Sequence, residues 1–131
     1  MMKAIIEKSS DGGYGIYAAD DAIPVVSSGA TEDEAKKEFE ACKREQAEYI
    51  KAQEGAYPTW KDEPIDYRYD MTAFFKSFPF INATQFAKAL GVNPSLLRKY
   101  KSGLAQASAG QKDAIQHKFD EIINRLSLVK F

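Results

Sequence analysis

Asn93-Pro94-Ser95-Leu96-Leu97-Arg98-Lys99-Tyr100-Lys101-Ser102 places three cations on a stretch that opens like a helix and stops before Gly103. Asparagine caps free backbone donors, and proline at the first helical position gives up an N–H that has no intrahelical partner. Arg and Lys on such a helix pair with guanine O6/N7 or with phosphate oxygens. The bland alternative is that Arg98, Lys99 and Lys101 merely solubilise a helical hairpin. The paired carboxylates Asp20 and Asp21 suggest a second chemistry, metal binding, but adjacent strand residues point to opposite faces and suit a solvated loop better. His117 is the single histidine and reads as a surface residue. Cys42 is the single cysteine; it excludes an internal disulfide and fits a reducing compartment. No Ser/His/Asp or Cys/His arrangement exists, and Gly12-Gly13 is too short to cradle a phosphate. No catalytic residue, metal site or cofactor is expected.

The charge is sorted along the chain. Residues 1–70 hold nine Lys and Arg against sixteen Asp and Glu, a balance of −7; residues 71–131 hold nine against three, or +6, within a total of −1. Such asymmetry suggests two partners of opposite sign, nucleic acid being the usual partner of a basic half. The 44% hydrophobic content belongs to a folded chain, and 131 residues suffice for one domain or two small ones. No apolar run approaches the ~20 residues of a bilayer span, and the N-terminus lacks a secretory pattern, so a cytoplasmic location with no membrane partner is expected.

In the acidic half, residues 3–18 read as a hairpin turning at Asp11-Gly12-Gly13, and Ile23–Ser27 as a third strand with its proline at an edge. Thr31-Glu32-Asp33-Glu34 is a capping box that opens a helix to the low fifties, with Ala35, Phe39, Cys42 and Tyr49 facing the sheet. The loop 53–60 follows, then Ile65–Tyr69 alternates as a fourth strand. In the basic half Asp70–Phe78 forms a helix. Asn82 with Gln85 caps a second over 83–90, ended by Gly91, and Asn93-Pro94 opens a third. Phe86, Ala87, Leu90, Val92, Leu97 and Tyr100 point inward. After Ser108, Ile115, Phe119, Ile122, Ile123 and Leu126 form a stripe on a final helix. Its surplus, with Leu128, Val129 and Phe131, suits a twofold interface.

Met2-Lys3-Ala4-Ile5-Ile6-Glu7-Lys8, Gly12-Gly13-Tyr14 and Gly29-Ala30-Thr31-Glu32-Asp33-Glu34-Ala35, spanning about residues 2–54, resemble the HicB antitoxin family. The family's Pro-Asp and Gly-Cys turn is replaced here by Ala19–Pro24. Ala87, Gly91, Leu97 and Gly103 in register resemble the Cro/repressor (XRE-type) helix-turn-helix, with Ala83 in place of a frequent glutamine and Lys101 in place of a common glutamate.

The resemblance implies an α+β chain. A β-β-β-α-β domain, partial RNase H-like and HicB-like, occupies residues 1–70, and an all-α helix-turn-helix domain occupies 71–131. It implies an antitoxin, not an enzyme, that masks a small basic HicA-like mRNA-cleaving toxin and represses its operon by binding operator double-stranded DNA as a homodimer or higher even oligomer. In the family register Pro94, Ser95, Arg98 and Lys99 face the major groove, Ser95 and Lys99 being the best base readers. Lys101 and Ser102 suit phosphate, and Thr84 completes the DNA-binding set. Tyr17, Asp20 and Asp21 are the candidate toxin contacts. RNase H folds carry metal-holding carboxylates, which Asp20 and Asp21 match poorly. The runner-up function is a stand-alone helix-turn-helix regulator whose first domain senses a ligand or dimerises.

Overall fold

A computed structural model describes residues 1–131, and the chain is α+β, with one four-stranded mixed sheet and five helices. It divides into two compact units, Met1–Ser77 and Phe78–Phe131.

In the first unit β1 (Met2–Lys8) and β2 (Tyr14–Ala18) form the expected antiparallel hairpin. Asp11 accepts from the Ser9 hydroxyl and the Gly13 amide, and Gly12 takes φ +92°, which a side chain would resist. The third strand lies three residues later than its β-branched run suggests: β3 is Val26–Gly29, not 23–27. Pro24 brings no donor to a ladder, and the Asp20 carbonyl draws the Ile23 amide into a turn. Val25 is still buried and accepts from the Ala18 amide. After α1 (Glu32–Glu54), β4 (Ile65–Tyr69) runs parallel to β1, giving the order β3-β2-β1-β4.

Period-two alternation turns Met2, Ala4, Ile6, Tyr14, Ile16 and Ala18 towards α1, where Ala35, Phe39 and Ala47 meet them. Thr31 caps the helix as expected; Glu34 reaches back to the Ala30 amide. The helix starts hard against β3: a Cβ on Gly29 would lie 2.6 Å from the Ala35 nitrogen, so only glycine fits. Ser27 seals that contact by donating to the Ala35 carbonyl at 2.7 Å. Cys42 and Ile50 pack against the core, whereas Tyr49 is 61% exposed and does not join the sheet-facing stripe. The 3.6-residue period carries the face through Ala47 and Ile50 and turns Tyr49 outward. Trp60, expected in a loop, is buried in the same core.

α2 (Met71–Ser77) belongs to this first unit, so the break in the chain falls at Ser77, seven residues beyond the expected boundary at 70. The cause is Asp70. Its amide continues the pairing by donating to the Ile6 carbonyl at 2.9 Å, and its carboxylate caps the Ala73 amide at 3.0 Å. The helix therefore springs directly from the sheet, and Ala73 and Phe75 are buried.

The second unit holds α3 (Ala83–Leu90), α4 (Pro94–Ser102) and α5 (Ala109–Leu126). Ala83, Ala87, Leu90, Val92, Leu97, Tyr100 and Ile115 are buried, with Phe86 edge-on to Phe119 at 6.1 Å between ring centres. Ala87 is fully buried and lets α3 and α4 approach closely. Only the first part of the α5 stripe is covered. Ile123, Leu126, Leu128, Val129 and Phe131 are exposed. No helix is long and apolar enough to cross a membrane.

Candidate functional site

Two surfaces gather the expected residues, one in each unit. On the second, Asn82 accepts from the Gln85 amide at 3.0 Å, and Asn93 accepts from Ser95 at 2.8 Å and Leu96 at 3.3 Å. Gly91 and Gly103 end α3 and α4 at φ +72° and +81°, a region only glycine enters cheaply. The three cations of α4 are exposed, as are Ser95 and Ser102; Pro94 at N1 is half-buried. The unit carries eight Lys and Arg against three acidic residues, a balance of +5.

Within this face, two residues expected to act singly are joined through a third. The Arg98 guanidinium donates to Thr84 Oγ1 at 3.0 Å and to Ser95 Oγ at 3.2 Å. Thr84 lies in the first turn of α3 and Ser95 in the first turn of α4, so one side chain spans both helix starts. The Ser102 hydroxyl donates to the Lys99 carbonyl at 3.1 Å, which turns it back onto its own helix. His117 is exposed on α5, 3.3 Å from Glu121.

The other surface is the face of the sheet turned away from α1. Register aligns Arg68, Ile5, Tyr17 and Val26 in one row across β4, β1, β2 and β3. Lys3 faces Asp66 on one side of that row, and Glu7 faces Gly15 on the other. Arg68 holds Asp66 at 2.9 Å, and this hydrogen bond keeps the Asp66 carboxyl below its ordinary range. Tyr17 is half-buried here. Its phenol is pushed up first by burial and then by the negative charges of Glu7, Asp70 and Asp21. Glu7 is raised likewise, by burial and then by Asp70.

Of the expected contacts, Tyr17 and Asp21 thus share a local field, while Asp20 is occupied in a turn, its carboxylate accepting from the Ala22 amide at 2.9 Å. Glu7 and Asp70 are the residues that sequence reasoning missed. Alternation along β1 marks Glu7 as outward, but only the pairing of β1 with β4 brings Asp70 alongside. No three His, Cys, Asp or Glu side chains gather as a metal-binding group. The unit carries ten Lys and Arg against sixteen acidic residues, a balance of −6. Comparison with family models, with curated proteins and with solved structures finds no match to this chain.

Proposed function

We propose that this chain is a HicB-like antitoxin that represses its own operon. In this reading Met1–Ser77 is a partial RNase H-like domain that binds a small cationic HicA-like toxin. Phe78–Phe131 is a helix-turn-helix domain that binds operator DNA. One observation carries it: a capped, glycine-ended helix pair presents Arg98, Lys99 and Lys101 on one exposed helix, in a unit of charge opposite to that of its neighbour. A −6 surface attracts a cationic protein, and a +5 surface attracts a polyanion. Base edges are met near the start of α4, and phosphates by the remaining cations.

The apolar end of α5 supports a twofold dimer in which two recognition helices lie about 34 Å apart, matching a palindromic site. Leu126 and Leu128 are 60% and 80% exposed, a patch that a second copy would bury.

The test is co-expression with the protein encoded beside it, pull-down, and fluorescence anisotropy on promoter duplexes. The expected outcome is a stable complex with a Lys/Arg-rich neighbour and duplex affinity that falls steeply with salt as counterions are released. Lys99→Ala should weaken operator binding while toxin binding stays intact. Loss of both would contradict the division of labour, and absence of both would end the proposal.

A further inference from the structure

We infer that Arg98 is a positioning residue, clasped by the Thr84 and Ser95 hydroxyls across the two short helices, and that Lys99, outside the clasp, is the side chain on α4 that selects sequence. This rests on the DNA-binding reading above and deepens it.

Guanidinium recognises guanine through two parallel N–H bonds from one edge of its planar fork. In Arg98 both terminal nitrogens are already engaged, Nη1 with Thr84 at 3.0 Å and Nη2 with Ser95 at 3.2 Å. These bonds use one N–H of each terminal nitrogen, so Arg98 offers a partner only its remaining donors, in the orientation that the clasp fixes. The hydroxyls come from residues eleven apart on different helices, so the fork is fixed in two directions at once. A fork so held keeps its positive charge, which attracts phosphate without reading sequence. It also ties the first turn of α3 to α4, and so sets how α4 is presented. The Ser95 oxygen is an acceptor in the clasp, which holds its hydroxyl beside Arg98. Lys99, the next residue, is exposed, and its ammonium takes no part in the clasp.

The experiment uses the full chain. Duplexes are selected from a random pool with the wild type, Arg98→Ala, Arg98→Lys, Thr84→Val and Lys99→Ala; affinities for the wild-type winner follow by anisotropy across a salt series. Thermal unfolding confirms that each variant is folded. The expected result is that Arg98→Ala and Arg98→Lys select the same motif as the wild type, whereas Lys99→Ala loses preference at one position. Thr84→Val should bind roughly two- to tenfold more weakly on every sequence, the range of one hydrogen bond. That loss should vanish when Arg98 is already alanine.

A changed motif in Arg98→Ala would make Arg98 a reader and overturn the inference. Additive losses for Thr84→Val and Arg98→Ala would do the same, because the two would then act separately. An unchanged motif in Lys99→Ala would remove Lys99 as selector. A wild type that binds no duplex at low salt overturns the DNA reading itself, and this is known before any variant is made.

Discussion

In Phe78–Phe131 every helix begins at a side-chain cap, Asn82, Asn93 or Ser108, and two of the three end on a left-handed glycine. In Met1–Ser77 the central strand β1 instead finds one partner in β4, about sixty residues further along. The basic unit is assembled from contacts among neighbours in sequence, the acidic unit from contacts that close long loops. Local contacts form quickly and depend on single side chains at helix ends, whereas distant pairing depends on a shared core. Each unit is therefore vulnerable in a different place.

The largest effect should come from emptying one core while the other is followed. Phe39 of α1 is fully buried against the sheet, and Phe39→Ala should cost roughly 3–5 kcal/mol. Hydrogen exchange should then show lost protection in β1, β2 and β4 while α3 and α4 keep theirs. Leu97→Ala should do the reverse, at roughly 2–5 kcal/mol. Simultaneous loss in both units from either change would mean that they fold as one.

A smaller effect tests the caps. Asn93→Ala removes the acceptor for two amides and should cost about 1 kcal/mol, read as a lower midpoint for the second unit alone.

Two carboxylates of the first unit should respond to pH with opposite signs. At Glu32 burial alone would raise the carboxyl. Hydrogen bonds from Tyr69 at 2.6 Å, Lys36 at 3.1 Å and Ser77 at 3.0 Å outweigh it, and the pKa is lowered. A lowered pKa means stability present above the unfolded value of 4.5 and lost as pH falls through the folded one. Asp11 and Asp66 act in the same direction. Glu7, raised by burial and by Asp70, gives up stability as pH rises through its folded pKa. Denaturant titration should therefore find Glu32→Gln weaker than wild type at pH 7, with a flatter loss on acidification. Glu7→Gln should be firmer at pH 7; a weaker Glu7→Gln would contradict the sign.

The smallest change expected is Tyr67→Phe. The Tyr67 hydroxyl is buried without a hydrogen-bond partner, and burial, aided by the Glu40 charge, raises the phenol to about 12. Removing an unpaired polar atom should leave stability within about 1 kcal/mol of wild type, on the favourable side.

Sequence reasoning reached the features written in adjacent residues. Thr31, Asn82 and Asn93 are caps in the structure, Gly91 and Gly103 end their helices, and Asp11-Gly12-Gly13 turns the hairpin. It failed where the hydrophobic pattern of a segment does not carry the deciding contact. Val26–Gly29 became the strand because Asp20 and Pro24 turn the preceding residues away from a ladder. Met71–Ser77 went with the sheet because Asp70 both pairs and caps. Trp60 lies in the loop as expected, but nothing in its polar neighbours marked its ring as part of the core. The candidate interface divides the same way: Arg98 and Lys99 were visible from their helix, while the bond from Arg98 to Thr84 needed the crossing of two helices.

The parallel pairing of β1 with β4 has a consequence for synthesis. A ribosome releases Met2–Lys8 first, yet the second neighbour of that strand, Ile65–Tyr69, emerges only after the entire long helix. At about 5–20 residues per second, the growing chain spends several seconds with a bare row of amides and carbonyls along its middle strand. Bare strand edges recruit other strands. Nascent chains stalled before Ile65 should therefore cluster, and those extended past Asp70 should not.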